Sequence, residues 1–540
     1  MTRPAIGVFL ILWASYAFFW HGRDWNTASR LMLTYAIVDR GTIRLDGLDD
    51  QTGDKARYKN HTYSDKLPGL SILAVPPYAL AKLLLRLPDH PLGKAGFAYW
   101  PADYWVTLFT SGLATALTGA MLTSLSGSIG CGPRRAILIG LAYGLATPAY
   151  AYATLAYGHQ ASAACLFGSF ALLWREPRGR VESASGLAGF LAAYASVIEL
   201  QVGPVSAILG LYALALAIGG KRPWAGAIAF GLGAVGPTLI LLGYNFVAFD
   251  SPFRMGYFYH VIPRFKDVHS IANPLGLSRP DWSRLNDLLL QPARGLFWYA
   301  PILMLAVPGL VVLGVRRHFG MVAVCSGTIG AVVLVNLSYP EWTGGWSTGP
   351  RLLVPMLPFA MLGVTGLLGR GGRGPDLSKA GLPIFSSPLW RGQGEGGVAR
   401  INRSDILTRS LNALALALAL AGWAIITLFQ GVGARIPDPL PTVPPGMIDP
   451  LAHPLTQAVW PIWAGERLPG WVFGHRFART ILAPTDEARL ADSWKKFLPL
   501  FGFQAVATLV LILSCGHPLM PPRDPLKPGP TPPTARPDRP

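Results

Sequence analysis

Three observations predict an all-α, polytopic membrane protein. Charged residues make up 14% of the 540-residue chain and hydrophobic ones 51%, with mean hydropathy +0.37, whereas soluble domains carry about 25% charged residues. Apolar runs of roughly 17–25 residues, the length a helix needs to cross a bilayer, recur along the sequence. Short loops rich in Lys and Arg alternate with loops that have none, as the positive-inside bias requires of a threaded chain.

The elements follow in order. The N-terminus "MTRPAIGVFLILWASYAFFW" has an apolar core but no small-x-small cleavage site, so 4–20 reads as an uncleaved first span. Further apolar runs fall near 69–87, 103–124, 136–153, 159–174, 186–199, 203–219, 224–246, 296–314, 319–338, 351–369, 409–430 and 497–515. The basic loops are 131–135, 175–180, 220–222, 315–318 and the linker from 370; the loops 155–160, 199–203 and 341–350 between them have neither Lys nor Arg. Traced back from Arg134 and Arg135, this alternation starts the 103–124 span outside and keeps all of 21–102 outside. The segment 69–87 then does not cross. Its Pro68, Pro76 and Pro77 interrupt backbone hydrogen bonding that lipid-exposed chain must keep, and Lys82 and Arg86 suit a headgroup interface. About twelve spans remain, with an outer-face juxtamembrane helix in the first loop and both termini in the cytoplasm.

The expected organisation is a transmembrane body over 1–369 with an outer loop 21–102, a disordered Gly/Arg-rich cytoplasmic linker over 370–408, C-terminal spans over 409–515 around an outer loop 431–496, and a Pro-rich cytoplasmic tail over 516–540. The net charge of +18 sits mostly in the inner loops and does not imply a nucleic-acid partner. The four cysteines lie scattered in or beside apolar runs with no metal spacing, as packing residues do.

Polar chemistry collects on the outer face. The stretch "RLDGLDDQTGDKARYKNHTYSDK" carries Asp46, Asp49, Asp50, Asp54 and Asp65 interleaved with Lys55, Arg57, Lys59 and Lys66, and the same face receives His159, Arg294 and Arg351. A carboxylate beside cations suits one reaction: a base takes a proton from a hydroxyl while cations stabilise a departing phosphate. Arginine grips phosphate bidentately and lysine as a point charge. Each residue also has a plainer reading, in which the charged loop is a solvated surface, His159 a satisfied interfacial histidine and Arg351 a snorkelling anchor. The clustered aspartates permit a divalent cation, Mg or Mn, without requiring one.

The stretch "SDKLPG", Ser64 to Gly69, resembles the first outer loop of the GT-C class of polytopic glycosyltransferases, in the branch of protein O-mannosyltransferases and lipid A aminoarabinose transferases, where a "DKPP"- or "EKPP"-like motif precedes a juxtamembrane helix. Leu67 stands where that pattern has its first proline. The resemblance implies a multi-pass inner-membrane enzyme of a bacterium that moves a hexosyl or pentosyl group from a polyprenyl-phosphate donor to a hydroxyl of a glycan, lipid or protein. It implies Asp54 or Asp65 as base with Asp24 in reserve, Lys66 and Arg351 on the donor phosphate, and His159 and Arg294 in support. The family's acidic position after the first span falls near Asn26, which cannot act as a base. A lipid-linked sugar flippase and a non-catalytic envelope protein are the alternatives.

Overall fold

The structure, a computed structural model, describes residues 2–90, 100–175, 181–369, 403–432, 454–460, 479–480, 483–484 and 497–515. Helices stand at the expected spans. Among the described residues seven of them are long and apolar enough to cross a membrane: Pro101–Ser128, Val181–Ile198, Leu200–Ile218, Trp224–Phe249, Phe319–Ser338, Arg351–Leu368 and Leu407–Gly431. Arg3–Ala17, Gly69–Leu85, Pro301–Val315 and Leu498–Ser514 are apolar but shorter. The 136–153 run divides into Pro133–Leu145 and Ala149–Ala153, with Thr147–Pro148 between them. Proline lacks the N–H that would continue the helical ladder there. The helix Arg403–Val432 begins inside the segment expected to be linker. The rest of that linker, most of the 431–496 loop and the 516–540 tail lie outside the described residues.

The bundle has two chemically distinct poles. At one, arginines of the basic loops bond the last carbonyls of neighbouring helices: Arg135 to Leu368 at 2.6 Å, Arg316 to Gly369 at 3.0 Å and Arg222 to Leu173 at 2.9 Å. Cations there complement the negative helix ends. At the other pole stand the first loop, the starts of Gly158–Trp174 and Arg351–Met356, and the end of Val181–Ile198. The C-terminal helices dock through buried amides, with Gln504 Nε2 donating to Ser15 Oγ of the first helix at 3.1 Å and Gln430 Nε2 to the Tyr150 carbonyl of Ala149–Ala153 at 3.0 Å. Such bonds hold helices together where the solvent offers no hydrophobic drive.

The first loop is itself folded. Asp24 caps the helix Trp25–Arg40, accepting the Thr27 N–H at 2.7 Å while the Thr27 hydroxyl takes the Asp24 N–H at 2.8 Å. Such a capping box contributes about 0.5–2 kcal/mol. An antiparallel hairpin of Lys55–Tyr58 and His61–Ser64 follows, a strand element in a chain read as all helix. Its two-residue turn puts Lys59 (φ 47) and Asn60 (φ 63) both in the left-handed region, the geometry of a tight hairpin turn. The segment after it is helical over Gly69–Leu73 and Val75–Leu85. Tyr78 and Ala81 are buried and Leu80, Leu83, Leu84 and Leu85 exposed, so the helix packs one side on the body and leaves an apolar side open. Lys82 does not point to headgroups: its ammonium pairs with Asp39 at 2.6 Å and also meets Asp89.

Candidate functional site

The hairpin register builds the first half of the site. Lys55 pairs with Ser64, so the residues next outward, Asp54 and Asp65, arrive side by side, with Lys66 following directly. The Lys66 ammonium lies 2.9 Å from Asp54 and 2.7 Å from Asp65. Asp65 is 1% exposed and also accepts the Ser29 hydroxyl at 3.2 Å. Burial pushes the Asp54 carboxyl up, and the Lys66 ammonium and His260 imidazole more than reverse this, holding it well below the usual carboxylate range. Burial pushes the Lys66 ammonium down, and Asp54 and Asp65 together hold it above its ordinary value.

His260 comes from the loop after Trp224–Phe249, which lays itself along the hairpin edge: Ala56 bridges to His260, and Val261 N–H donates to the Lys55 carbonyl at 3.0 Å. Gly256 makes this approach possible, since a Cβ there would sit 2.6 Å from the Ser64 carbonyl oxygen and 2.8 Å from Asp65 Cα. One ligand atom from each of Asp54, Asp65 and His260 lies within 4.8 Å of the others, the residue types a divalent ion selects. Their arrangement does not fit one. Lys66 already bridges the two carboxylates, and His260 Nδ1 accepts the Ile262 N–H at 2.9 Å. That bond places the ring proton on Nε2, which faces Asp65 at 3.7 Å and Asp54 at 3.9 Å, where a metal would need a lone pair.

The second half is a buried ion network. His159 Nδ1 lies 2.6 Å from Glu199 Oε2, and Arg30 Nη2 lies 3.3 Å from Glu199 Oε1. Gly158 leaves room for that carboxylate, because a Cβ would meet Glu199 Oε1 at 2.6 Å. Arg30 Nε donates to Asn26 Oδ1 at 3.1 Å, so Asn26 orients an arginine instead of taking a proton. Asp24 accepts the Tyr157 hydroxyl, and the Arg351 guanidinium lies over the Tyr157 ring, 5.2 Å from its centre. Arg351 is within electrostatic reach of Asp24, Asp54, Glu199 and His159.

The structure therefore brings together Asp24, Asp54, Asp65, Lys66, His159 and Arg351 from segments spread over more than half the chain. Arg294 is engaged elsewhere. It donates to the Gly345 carbonyl at 2.8 Å, to the Ser347 carbonyl at 3.1 Å and to the Ser347 hydroxyl, clamping the "TGGWSTG" turn that leads into Arg351. Sequence reasoning passed over Arg30, Tyr157, Glu199 and His260 as site residues. Three nitrogens of this network, Arg30 Nη1, Arg351 Nε and His159 Nε2, are buried with no hydrogen-bond partner among the described residues.

No protein family and no curated protein matches this chain. Among solved structures it is similar to ArnT from Cupriavidus metallidurans bound to undecaprenyl phosphate, at 15% identity over 79% of this chain and 71% of that one, with a TM-score of 0.40. The apo state of the same protein matches at 16% identity, covering 79% and 70%, with a TM-score of 0.41. The Archaeoglobus fulgidus oligosaccharyltransferase in its apo form matches at 9% identity, covering 78% and 55%, with a TM-score of 0.41.

Proposed function

We propose that this chain is a membrane glycosyltransferase that moves a sugar from a polyprenyl-phosphate donor to a hydroxyl acceptor at the outer face. The observation that supports this reading best is the pair of buried arginine N–H groups, Arg30 Nη1 and Arg351 Nε, that have no acceptor among the described residues beside the Asp54–Asp65–Lys66 cluster. An unsatisfied buried donor costs about 1–3 kcal/mol, more when charged, and an anionic phosphate would supply the missing acceptors. Of the buried charges among the described residues, Asp103, Glu199 and Arg222 lie at or near the ends of spans, and Arg30, Asp65 and Arg294 lie outside the helices long and apolar enough to span. A transport pathway would place such groups along the spans instead.

In this reading the donor phosphate lies against Arg351 and Arg30, and Lys66 turns from the carboxylates toward it. A lysine that leaves two carboxylates raises their affinity for a proton. Asp54, the more accessible of the pair, then takes the acceptor hydroxyl's proton. The acceptor oxygen bonds to the anomeric carbon, the bond from that carbon to the phosphate oxygen breaks, and polyprenyl phosphate leaves with the electron pair. No step requires a divalent ion. The test substitutes Asp54→Asn and Asp65→Asn separately and profiles surface glycans at matched protein levels. At least one variant should lose transfer by about 10²-fold or more, the usual scale of a positioned base. Unchanged glycans in both would refute the assignment.

A further inference from the structure

Trp25 stands apart from the residues around it. It is 54% exposed, although both of its chain neighbours are engaged in the site: Asp24 accepts the Tyr157 hydroxyl and Asn26 accepts Arg30 Nε. The indole is held in place from below. A Cβ on Gly53 would lie 2.6 Å from its Cε3, 2.7 Å from Cδ2 and 2.8 Å from Cζ3. Nearly equal distances to three adjacent ring atoms place Gly53 over the face of the indole and not at its edge, so the glycine lets the ring lie flat on the backbone. The two segments are also tied. The Thr52 hydroxyl donates to the Trp25 carbonyl at 2.7 Å, and its oxygen accepts the Asp54 N–H at 3.0 Å. One face of the ring is covered and the other is open, beside the backbone of the carboxylate proposed as base.

We propose that the open face of Trp25 is a stacking platform for a sugar ring of the acceptor, which makes the acceptor a glycan. The inference rests on the transferase reading and adds to it the class of acceptor. A sugar ring carries C–H groups on its faces and hydroxyls around its rim. The C–H groups suit the negative face of an aromatic ring, and the rim leaves a hydroxyl free to reach Asp54. An indole already fixed by backbone contacts loses little freedom when a ligand stacks on it. The position suits the acceptor and not the donor. The donor sugar is joined to a phosphate that buried Arg30 would hold, whereas Trp25 is open to a second substrate. Asp54, the more exposed carboxylate of its pair, follows Gly53 directly. A tryptophan that serves only as an interfacial anchor needs neither a glycine under one face nor a tie to the backbone of a carboxylate.

The experiment measures binding to the full chain in lipid nanodiscs by NMR titration. The probes are the soluble disaccharides maltose, cellobiose, lactose and mannobiose, a peptide containing serine and threonine, and undecaprenyl phosphate with and without a hexosyl group. The wild type should bind at least one disaccharide, and Trp25→Ala should bind it about three- to tenfold more weakly, the worth of one aromatic stack. Trp25→Leu should lose as much, since it keeps apolar area but no flat face, while Trp25→Tyr should retain most of the affinity. Trp282→Ala removes a comparably exposed tryptophan from the loop after Trp224–Phe249 and should change nothing. All these variants should melt with wild type and bind undecaprenyl phosphate within about twofold of it. No disaccharide binding, or binding that is unchanged in Trp25→Ala or Trp25→Leu or equally weakened in Trp282→Ala, overturns the inference and leaves the transferase reading standing. A dependence on Trp25 seen only for the peptide or only for the hexosyl lipid also overturns it, giving the platform to a protein acceptor or to the donor. Failure of the wild type to bind either lipid overturns the transferase reading and the acceptor role with it.

Discussion

At the scale of single residues the Asp54–Asp65 pair depends on one lysine shared between two carboxylates. Lys66 lies between Asp54 and Asp65, and removing a partner from a buried ion cluster costs about 3–5 kcal/mol. Lys66→Met should therefore lower thermal stability markedly. The sign of the pH dependence follows from the shifts. Asp54 is depressed, so its contribution is present above the unfolded value of about 3.9 and is lost as pH falls further. Lys66 is raised, so its contribution is present below about 10.4 and is lost as pH climbs past it. The wild-type contribution of this cluster should be flat from about pH 5 to 9 and fall below about pH 4, whereas the Lys66→Met deficit should shrink on acidification as protons neutralise the carboxylates left without their cation. A deficit that did not shrink as pH falls would contradict this. Residue type made Asp54, Asp65, Lys66 and Arg351 visible as candidates in the sequence. Arg30 and Glu199 were not visible as a pair, because 169 residues separate them and no local pattern signals such a contact. Asn26 was read as the gap in an acidic motif, and only its bond to Arg30 shows what an amide does there.

At the scale of elements, a hairpin and a loop do the positioning. "KARYKNHTYS" conceals its strands, because charged residues occupy the exposed positions of Lys55–Tyr58 and both turn residues lack glycine. Without those strands, Asp54 and Asp65 look eleven positions apart instead of adjacent. The third edge, from the loop carrying His260, depends on Gly256. Gly256→Ala would drive a methyl group into the Ser64 and Asp65 backbone, at about 1–3 kcal/mol for overpacking a tight contact. The loop should lift from the hairpin. Hydrogen exchange at Lys55 to Asp65 should rise and transfer should fall, with the helical bundle unaffected. Unchanged protection in the hairpin would show that the loop does not hold it. The proline-broken helix after "SDKLPG" was legible, since proline placement and apolar content are both local. The pairing of Lys82 with Asp39 was not, because snorkelling and ion pairing ask the same of a lysine until its neighbours are known.

At the scale of the whole molecule, the sequence displays the polarity of the bundle better than its contacts. Counting lysines and arginines in the short loops separates a pole of basic loops from one whose short loops carry neither, and the structure gathers arginines on helix ends at the first of these. Apolar run length located the helices, and seven among the described residues meet full spanning length and composition. What no one-dimensional reading supplies is that the start of Arg351–Leu368 lies beside a hairpin some three hundred residues earlier. The central claim is that these distant parts form one phosphate site. The most direct test is binding of undecaprenyl phosphate to the full chain in nanodiscs, comparing wild type, Arg351→Gln and Lys221→Gln, the last an exposed lysine at the opposite pole. Loss of one charged hydrogen-bonding partner is worth about 1.5–3 kcal/mol, so Arg351→Gln should bind about ten- to a hundredfold more weakly while Lys221→Gln matches wild type. Equal affinity in all three proteins would contradict the account.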